Sequence, residues 1–141
     1  MFIMALRIEL KPQERLIING ALIRNGDRRS TFVIENQCKF LRESEILTES
    51  EADTAAKRLC VTLQFIYLAD NPPEAEDLFV RQATEIMKAS PSMGPYILAI
   101  QDELSAHQYH RAIKRGRELI AYERQLLDHL AAHAAEPAPQ G

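Results

Sequence analysis

The sequence has 141 residues, which fits one domain or two subdomains that share a core. Its 46% hydrophobic content and net charge of −3 exclude a chain that is disordered by composition. No stretch approaches the roughly 18 to 20 apolar residues of a transmembrane helix, and the apolar start Met1-Phe-Ile-Met4 does not extend into a signal peptide, so we expect a soluble protein without a membrane partner.

Residues 6–47 predict five short β-strands. Leu6, Ile8 and Leu10 alternate with polar residues, which is the period of two expected for a half-buried strand. The turns that separate the strands are predicted at Pro12-Gln13, Asn19-Gly20, Asn25-Gly26 and Asn36-Gln37. Asn-Gly dipeptides readily adopt the positive φ angles of a two-residue turn. Strands that follow one another this closely predict an antiparallel β meander.

The chain after residue 47 predicts helices, because its apolar residues recur at spacings of three and four. Thr48, Ser50 and Asp53 are competing start signals for the first helix. A long last helix is predicted from about Gln108 to Ala132, and its apolar side fits either the core of the monomer or the seam of a homodimer.

These elements define an α+β protein: a small antiparallel five-stranded β meander followed by a C-terminal bundle of about four helices. We divide the chain into a β-rich subdomain at 1–47, a helical subdomain at 48–133 and a disordered tail at 134–141.

The sequence shows no catalytic, metal-binding or cofactor motif. His129 and His133 lie four residues apart, but the glutamate of a zinc-protease motif is missing between them. The serines have no nucleophile context, and the five glycines form no phosphate loop. Cys38 and Cys60 lack metal-type spacing, so we expect reduced, packed thiols, which favour a cytoplasmic location. We infer that the protein is not an enzyme and holds no metal or cofactor.

Basic residues are the remaining candidates for function. Five of them are predicted at strand ends and turns of the meander: Lys11, Arg24, Arg28, Arg29 and Arg42. Arg42 shares the parity of Phe40, yet it ends its strand and can reach the rim. Guanidinium groups match the geometry of a phosphate or of a guanine edge. The local charge balance, eight bases against six acids in residues 1–47, favours a solvated rim instead, and both interpretations remain open on the residues alone.

Four segments of the chain closely resemble the FlbT family of flagellar regulators. They are Leu6-Arg-Ile-Glu-Leu-Lys-Pro-Gln-Glu-Arg-Leu-Ile-Ile-Asn-Gly20, Ile23-Arg-Asn-Gly-Asp27, Phe40-Leu-Arg-Glu43 and Leu63-Gln-Phe-Ile-Tyr-Leu-Ala69. The resemblance implies post-transcriptional control, in which the protein associates with the 5′ untranslated leader of flagellin messenger RNA, restrains translation and promotes decay of the transcript.

The strand order and the segment Phe40-Leu-Arg-Glu-Ser-Glu-Ile46 are also similar, more faintly, to the carbon storage regulator family of dimeric RNA-binding proteins. That similarity implies that the family's essential arginine falls on Arg42 and its basic first-strand end on Lys11. Pro12 replaces a second arginine of that family, and the helical part of the chain has no counterpart there.

Two functional hypotheses follow. In the first, Lys11, Arg24, Arg28, Arg29 and Arg42 bind the leader of a flagellin messenger RNA, with phosphates fixing the register and unpaired bases giving selectivity. In the second, the helices bind flagellin or another flagellar regulatory protein, and any effect on RNA is indirect. The acidic residues 48–79, with seven acids against two bases, favour the second hypothesis because they would repel RNA.

Overall fold

The computed structural model describes residues 5–70 and 72–135, and it confirms the α+β class. The strands are β1 (Leu6–Leu10), β2 (Arg15–Ile18), β3 (Ala21–Arg24), β4 (Ser30–Ile34) and β5 (Phe40–Arg42). The helices are α1 (Ala55–Leu68), α2 (Pro73–Ala89), α3 (Gly94–Ser105) and α4 (Tyr109–Ala135). Residues 134 and 135 of the predicted tail belong to α4, and its remainder lies outside the described residues.

The first four strands form one long antiparallel ribbon that is interrupted in the middle. At its tip β2 pairs with β3, with Ile18 opposite Ala21, and at its base β1 pairs with β4, with Leu10 opposite Ser30. Two backbone hydrogen bonds bridge the interruption, from Gln13 N to Gly26 O at 3.0 Å and from Asn25 N to Glu14 O at 2.8 Å. The strands are antiparallel as predicted, but β3 and β4 do not pair as successive strands of a meander would.

The two Asn-Gly dipeptides have different roles. Asn19 and Gly20 adopt φ angles of 48° and 85° and close the β2–β3 hairpin, as predicted. The second predicted turn, at Asn25-Gly26, is wrong: neither residue has a positive φ. The Asn25 side chain makes hydrogen bonds across the ribbon instead of shaping a hairpin turn. The chain therefore continues from β3 to β4 without reversing its direction.

β5 completes the sheet and separates two apolar clusters. It pairs with the free edge of β2, with Arg42 opposite Leu16, to give the order β3-β2-β5. Ile8, Leu10 and Leu16 are buried in a small cluster between the two parts of the ribbon, and Phe40 packs against it. Leu41 points the other way and is fully buried among the helices. The β-ribbon therefore meets the helical core through Leu41 of β5, with Ile17 of β2 packed beside it.

The first α-helix begins later than the sequence predicted. Thr48 precedes a short 3₁₀ turn, and its hydroxyl donates to Glu51 Oε1 at 2.7 Å rather than capping a helix. The residue that caps α1 is Thr54, whose Oγ1 accepts a hydrogen bond from Lys57 N at 3.3 Å. The starts predicted at Thr48, Ser50 and Asp53 are wrong. Thr48 bonds locally to Glu51, and the Asp53 side chain bonds to Lys57 Nζ at 3.0 Å and not to the backbone of the first turn.

The N-terminal half of α4 lies in the helical core against α1. Ile113 and Gly116 are buried there, and an added Cβ at Gly116 would lie 2.8 Å from Cys60 Sγ. Of the two interpretations of the last helix, membership of the monomer core is thus confirmed for this half. Leu127 and Leu130, near its C-terminal end, are 48% and 62% exposed.

The cysteines are free thiols, as predicted. Cys38 is half-buried, and burial raises the pKa of the Cys60 thiol to about 12. Within the described part of the chain, no helix combines the length and the apolarity that crossing a membrane would demand.

Candidate nucleic-acid interface

Three of the five predicted basic residues line one cleft. Lys11 follows β1 and Arg29 precedes β4, so the register that places Leu10 opposite Ser30 brings the two bases together. Arg42 reaches the same cleft from the end of β5. The cleft has a volume of about 230 Å³, and we call it the basic cleft; its lining is Glu9, Leu10, Lys11, Glu14, Arg29 and Arg42.

Arg42 is exposed although it has the strand parity of half-buried Phe40. Its guanidinium carbon lies 6.0 Å from the centroid of the Phe40 ring, within the range of a cation–π contact. Its backbone N–H donates to Glu45 Oε1 at 3.0 Å. The Phe40 ring therefore supports the guanidinium of Arg42, and the exposed side chain lies at the rim, as the sequence predicted.

Arg24 and Arg28 lie outside the basic cleft. Both side chains are exposed. Arg24 Nη1 donates a hydrogen bond to Gln13 O at 2.9 Å, so one nitrogen of its guanidinium is bonded within the ribbon. Arg28 lies in the link between β3 and β4, where its carbonyl accepts a hydrogen bond from Asn25 Nδ2 at 2.9 Å. These two residues flank the interruption of the ribbon.

Arg15 has a structural role. Its side chain is only 18% exposed, and its Nε donates to Glu43 Oε2 at 3.0 Å and Oε1 at 3.1 Å. Glu51 lies 3.8 Å from its Nη1. The hydrogen bond from Arg15 holds the pKa of Glu43 below its ordinary value, and the same bond raises the pKa of Arg15. This ion pair ties β2 to the segment after β5, so Arg15 is not available to an outside anion.

Two carboxylates share the basic cleft with the cations. Glu14 Oε1 accepts a hydrogen bond from the backbone N–H of Lys11 at 2.8 Å, and Glu9 forms an exposed ion pair with Arg7 at 3.6 Å. A cleft that offers both donors and acceptors can bind the polar edge of a base as well as a phosphate. A groove of cations alone would offer no acceptor for the amino group of a base.

The helices hold β5 in place at the base of Arg42. The Tyr67 hydroxyl of α1 accepts a hydrogen bond from Phe40 N at 3.3 Å and lies 3.4 Å from Phe40 O. His110 Nε2 of α4 lies 2.7 Å from Glu45 Oε2, next to the Tyr67 ring. Burial is the main cause of the raised Tyr67 pKa. The position of Arg42 therefore depends on contacts from both helices.

The sequence analysis did not identify Asn25 as the residue whose side chain positions the backbone beside the basic cleft. Asn25 Nδ2 donates to Lys11 O at 2.8 Å and to Arg28 O at 2.9 Å, and its Oδ1 accepts from Ser30 Oγ at 2.9 Å. It thus fixes the backbone at Lys11 and at the start of β4. An Asn-Gly dipeptide is typical of a turn, so the sequence predicted a turn at Asn25 and not these side-chain hydrogen bonds.

Comparison with known proteins shows which family the chain represents. A family model described as "Flagellar protein FlbT" matches residues 6–127. The "Probable flagellum biosynthesis repressor protein FlbT" of Rhodopseudomonas palustris strain TIE-1 is 37% identical over 124 residues, which cover 88% of this chain and 98% of that protein. No solved structure matches the chain.

Two Caulobacter proteins are similar over almost the whole length. The protein of the same name from Caulobacter sp. strain K31 is 34% identical over 131 residues, covering 91% of this chain and all of that protein. The "Flagellum biosynthesis repressor protein FlbT" of Caulobacter vibrioides strain ATCC 19089 is 31% identical over 132 residues, covering 92% and 94%. The chain belongs to the FlbT family, as the resemblance of its motifs predicted.

Proposed function

We propose that this protein is a post-transcriptional repressor of flagellum biogenesis that binds the 5′ untranslated region of flagellin messenger RNA, inhibits its translation and promotes its degradation. The observation that carries the proposal is the convergence of Lys11, Arg29 and Arg42 on one small cleft. Membership of a family whose relatives are named flagellum biosynthesis repressors supports the regulatory role. Acting on a messenger places the protein in the cytoplasm.

The chemistry of the basic cleft suits an unpaired nucleotide. Sequence-specific RNA recognition targets splayed bases in loops, which stack on aromatic or guanidinium planes and present their polar edges. Arg42, supported by Phe40, supplies such a plane, while Lys11 and Arg29 supply charge for the flanking phosphates. Arg24 and Arg28, beside the cleft, extend the positive surface along the strand of RNA.

The proposal is tested by titrating the purified protein against labelled flagellin leader RNA. Arg42→Ala should weaken binding by roughly 1 to 3 kcal/mol if Arg42 reads a base, and Arg42→Lys should recover only part of the loss because lysine has no planar fork. Arg81→Ala is the matched control, since Arg81 is exposed on α2 and the substitution removes the same charge. Equal affinities of the Arg42 and Arg81 variants would remove Arg42 from the interface.

Salt dependence tests the phosphate contacts separately. Each phosphate contact to a single strand contributes about 0.7 to the slope of log affinity against log salt concentration. Lys11→Ala and Arg29→Ala should each lower that slope. A slope unchanged in both variants, together with unchanged affinity, would contradict contact between the cleft and the RNA backbone.

A groove between the helices favours one alternative, a protein-interaction module that binds flagellin or another flagellar regulatory protein. The groove has a volume of about 450 Å³, and its apolar lining comes from α2, α4 and the 3₁₀ turn Pro91–Met93: Ile86, Met93, Leu126, Leu127 and Leu130. If this alternative holds, Leu130→Glu should abolish capture of flagellin while the wild-type protein alone fails to retain the leader. RNA binding that persists in Leu130→Glu would favour the first proposal.

A further inference from the structure

β1 has one edge without a strand partner. Among the described residues β4 is the only strand that pairs with β1, so the other edge of β1 is open. Two-stranded sheets are marginally stable, and an open edge is a template for pairing with another strand. Natural proteins either protect such an edge or use it to pair with another strand, and the side chains of β1 indicate which of the two applies.

The exposed face of β1 carries one charge of each sign, placed symmetrically about its centre. Arg7 and Glu9 flank Ile8, and their side chains are 71% and 66% exposed. Within one chain they form a loose ion pair at 3.6 Å. Ile8 and Leu10 point to the opposite face and are buried in the small apolar cluster.

We propose that β1 pairs antiparallel with β1 of a second copy of this chain, across a two-fold axis at Ile8. This register places Arg7 of each copy opposite Glu9 of the other, and Leu6 opposite Leu10. Both symmetry-related ion pairs then form directly across the strands, where opposite charges are favourable. The same patch serves both copies, as a two-fold interface requires.

The charges select this register against its neighbours. An axis at Arg7 would place the two Arg7 side chains opposite each other, and an axis at Glu9 would do the same with two carboxylates. Parallel pairing in register would repeat both repulsions, because like charges directly opposite are unfavourable. By contrast, the exposed residues of β4 are Ser30, Thr31 and Val33, which carry no charge that could specify a register.

The axis at Ile8 also fixes how the buried faces of the two copies are oriented relative to each other. A two-fold axis between antiparallel strands is perpendicular to the sheet, so the buried faces of both β1 strands lie on the same side. Lys11 of one copy and Lys11 of the other are then about 20 Å apart, since six residues of strand separate them at about 3.4 Å each. The two basic cleft positions would therefore lie at opposite ends of one shared ribbon.

Charge reversal tests the interface without disturbing the core, because Arg7 and Glu9 are exposed. Wild-type protein should show a concentration-dependent dimer by light scattering. R7E and E9R should each weaken dimerisation about tenfold or more, because every attractive pair becomes repulsive. Mixing R7E with E9R should restore a dimer, since the two acidic positions of one copy then face two basic positions of the other, and the double variant R7E/E9R should restore the homodimer.

Engineered cysteines test the register itself. In a Cys38→Ser background, R7C and E9C chains should form a disulfide mainly when they are mixed, because positions 7 and 9 are directly opposed and their Cβ atoms are about 5 Å apart. Arg81→Glu, on the exposed face of α2, is the control for a general effect of charge. A protein that stays monomeric up to its solubility limit, or a dimer that R7E and E9R leave unchanged, would overturn the proposal.

Discussion

Glu123 Oε2 of α4 lies 3.0 Å from the backbone nitrogen of Ala56 in the first turn of α1. Glu123 is only 6% exposed, and the N–H that it accepts is one of those that a helix start leaves without a partner inside the helix. A carboxylate is also favoured at the positive end of the helix dipole. The Glu123 side chain thus links α4 to the start of α1, the helix whose Tyr67 contacts β5.

Removing the Glu123 carboxylate should destabilise the protein. We expect Glu123→Ala to lower the free energy of unfolding by about 1 to 3 kcal/mol, because a buried donor loses its acceptor. Glu123→Gln retains a carbonyl oxygen and should lose less. Urea unfolding measures both variants, with Arg124→Ala as the exposed neighbour control. Equal losses for Glu123→Ala and Arg124→Ala would contradict the capping role.

The close approach of α4 to α1 depends on the absence of a side chain at Gly116. An alanine Cβ there would lie 2.8 Å from Cys60 Sγ and 3.0 Å from Leu63 Cδ1. Gly116→Ala should therefore cost about 1 to 3 kcal/mol despite the better helix propensity of alanine. Adding Cys60→Ala should reverse part of that loss by removing the closest atom.

Gly94 is the matched control for this substitution. It also lies in a helix, but an added Cβ meets nothing within 4 Å. Gly94→Ala should be neutral or stabilising by a few tenths to about 1 kcal/mol. Thermal unfolding of the two alanine variants compares them directly, and equal shifts of the melting temperature would contradict tight α1–α4 packing.

The Arg15–Glu43 pair should make stability depend on pH. Hydrogen bonding from Arg15 lowers the pKa of Glu43 in the folded protein, whereas in the unfolded chain glutamate titrates at about 4.3. The stabilisation is therefore fully present above the unfolded pKa and is lost as the pH falls through the folded pKa. The extra stability of the wild-type protein over Glu43→Gln should therefore shrink as the pH falls below about 4.3, the unfolded value. Unfolding curves measured at several pH values test this, with Glu85→Gln on the exposed face of α2 as the control. A difference between wild type and Glu43→Gln that does not change with pH would contradict it.

The sequence predicted the elements of this fold better than their pairing. Alternation at Leu6, Ile8 and Leu10 identified β1, and Asn19-Gly20 identified the hairpin turn. The pairing of β1 with β4 is supported by the Asn25 side chain, which donates to Arg28 O before β4 and to Lys11 O, 14 residues away, after β1. Local patterns cannot report such long-range hydrogen bonds.

The candidate site was predicted in part for the same reason. The position of Arg42 at the end of its strand, despite its parity with Phe40, correctly predicted an exposed side chain. Strand positions could not show that Arg15 is neutralised by Glu43, a partner 28 residues away. They also could not show that the Arg24 guanidinium donates a hydrogen bond to Gln13 O. The grouping of Lys11 with Arg29 needed the β1–β4 register, which the meander did not contain.

Asn25 should be a positioning residue for the basic cleft. Asn25→Ala removes the donors to Lys11 O and Arg28 O, and Asn25→Asp cannot replace them because a carboxylate has no N–H. Both variants should lower the free energy of unfolding by about 1 to 3 kcal/mol and speed hydrogen exchange of the β1 and β4 amides. Asn36→Ala, exposed in the link before β5, is the control. Exchange rates at β1 that match the wild-type rates in the Asn25 variants would contradict this role.

The most direct test of RNA binding is photochemical crosslinking of the purified protein to flagellin leader RNA, followed by identification of the attached peptides. The account predicts crosslinked peptides that contain Lys11, Arg29 or Arg42, with fewer crosslinks as salt is raised. Crosslinks found only in peptides beyond Thr48, or none above those of an unrelated RNA, would contradict it.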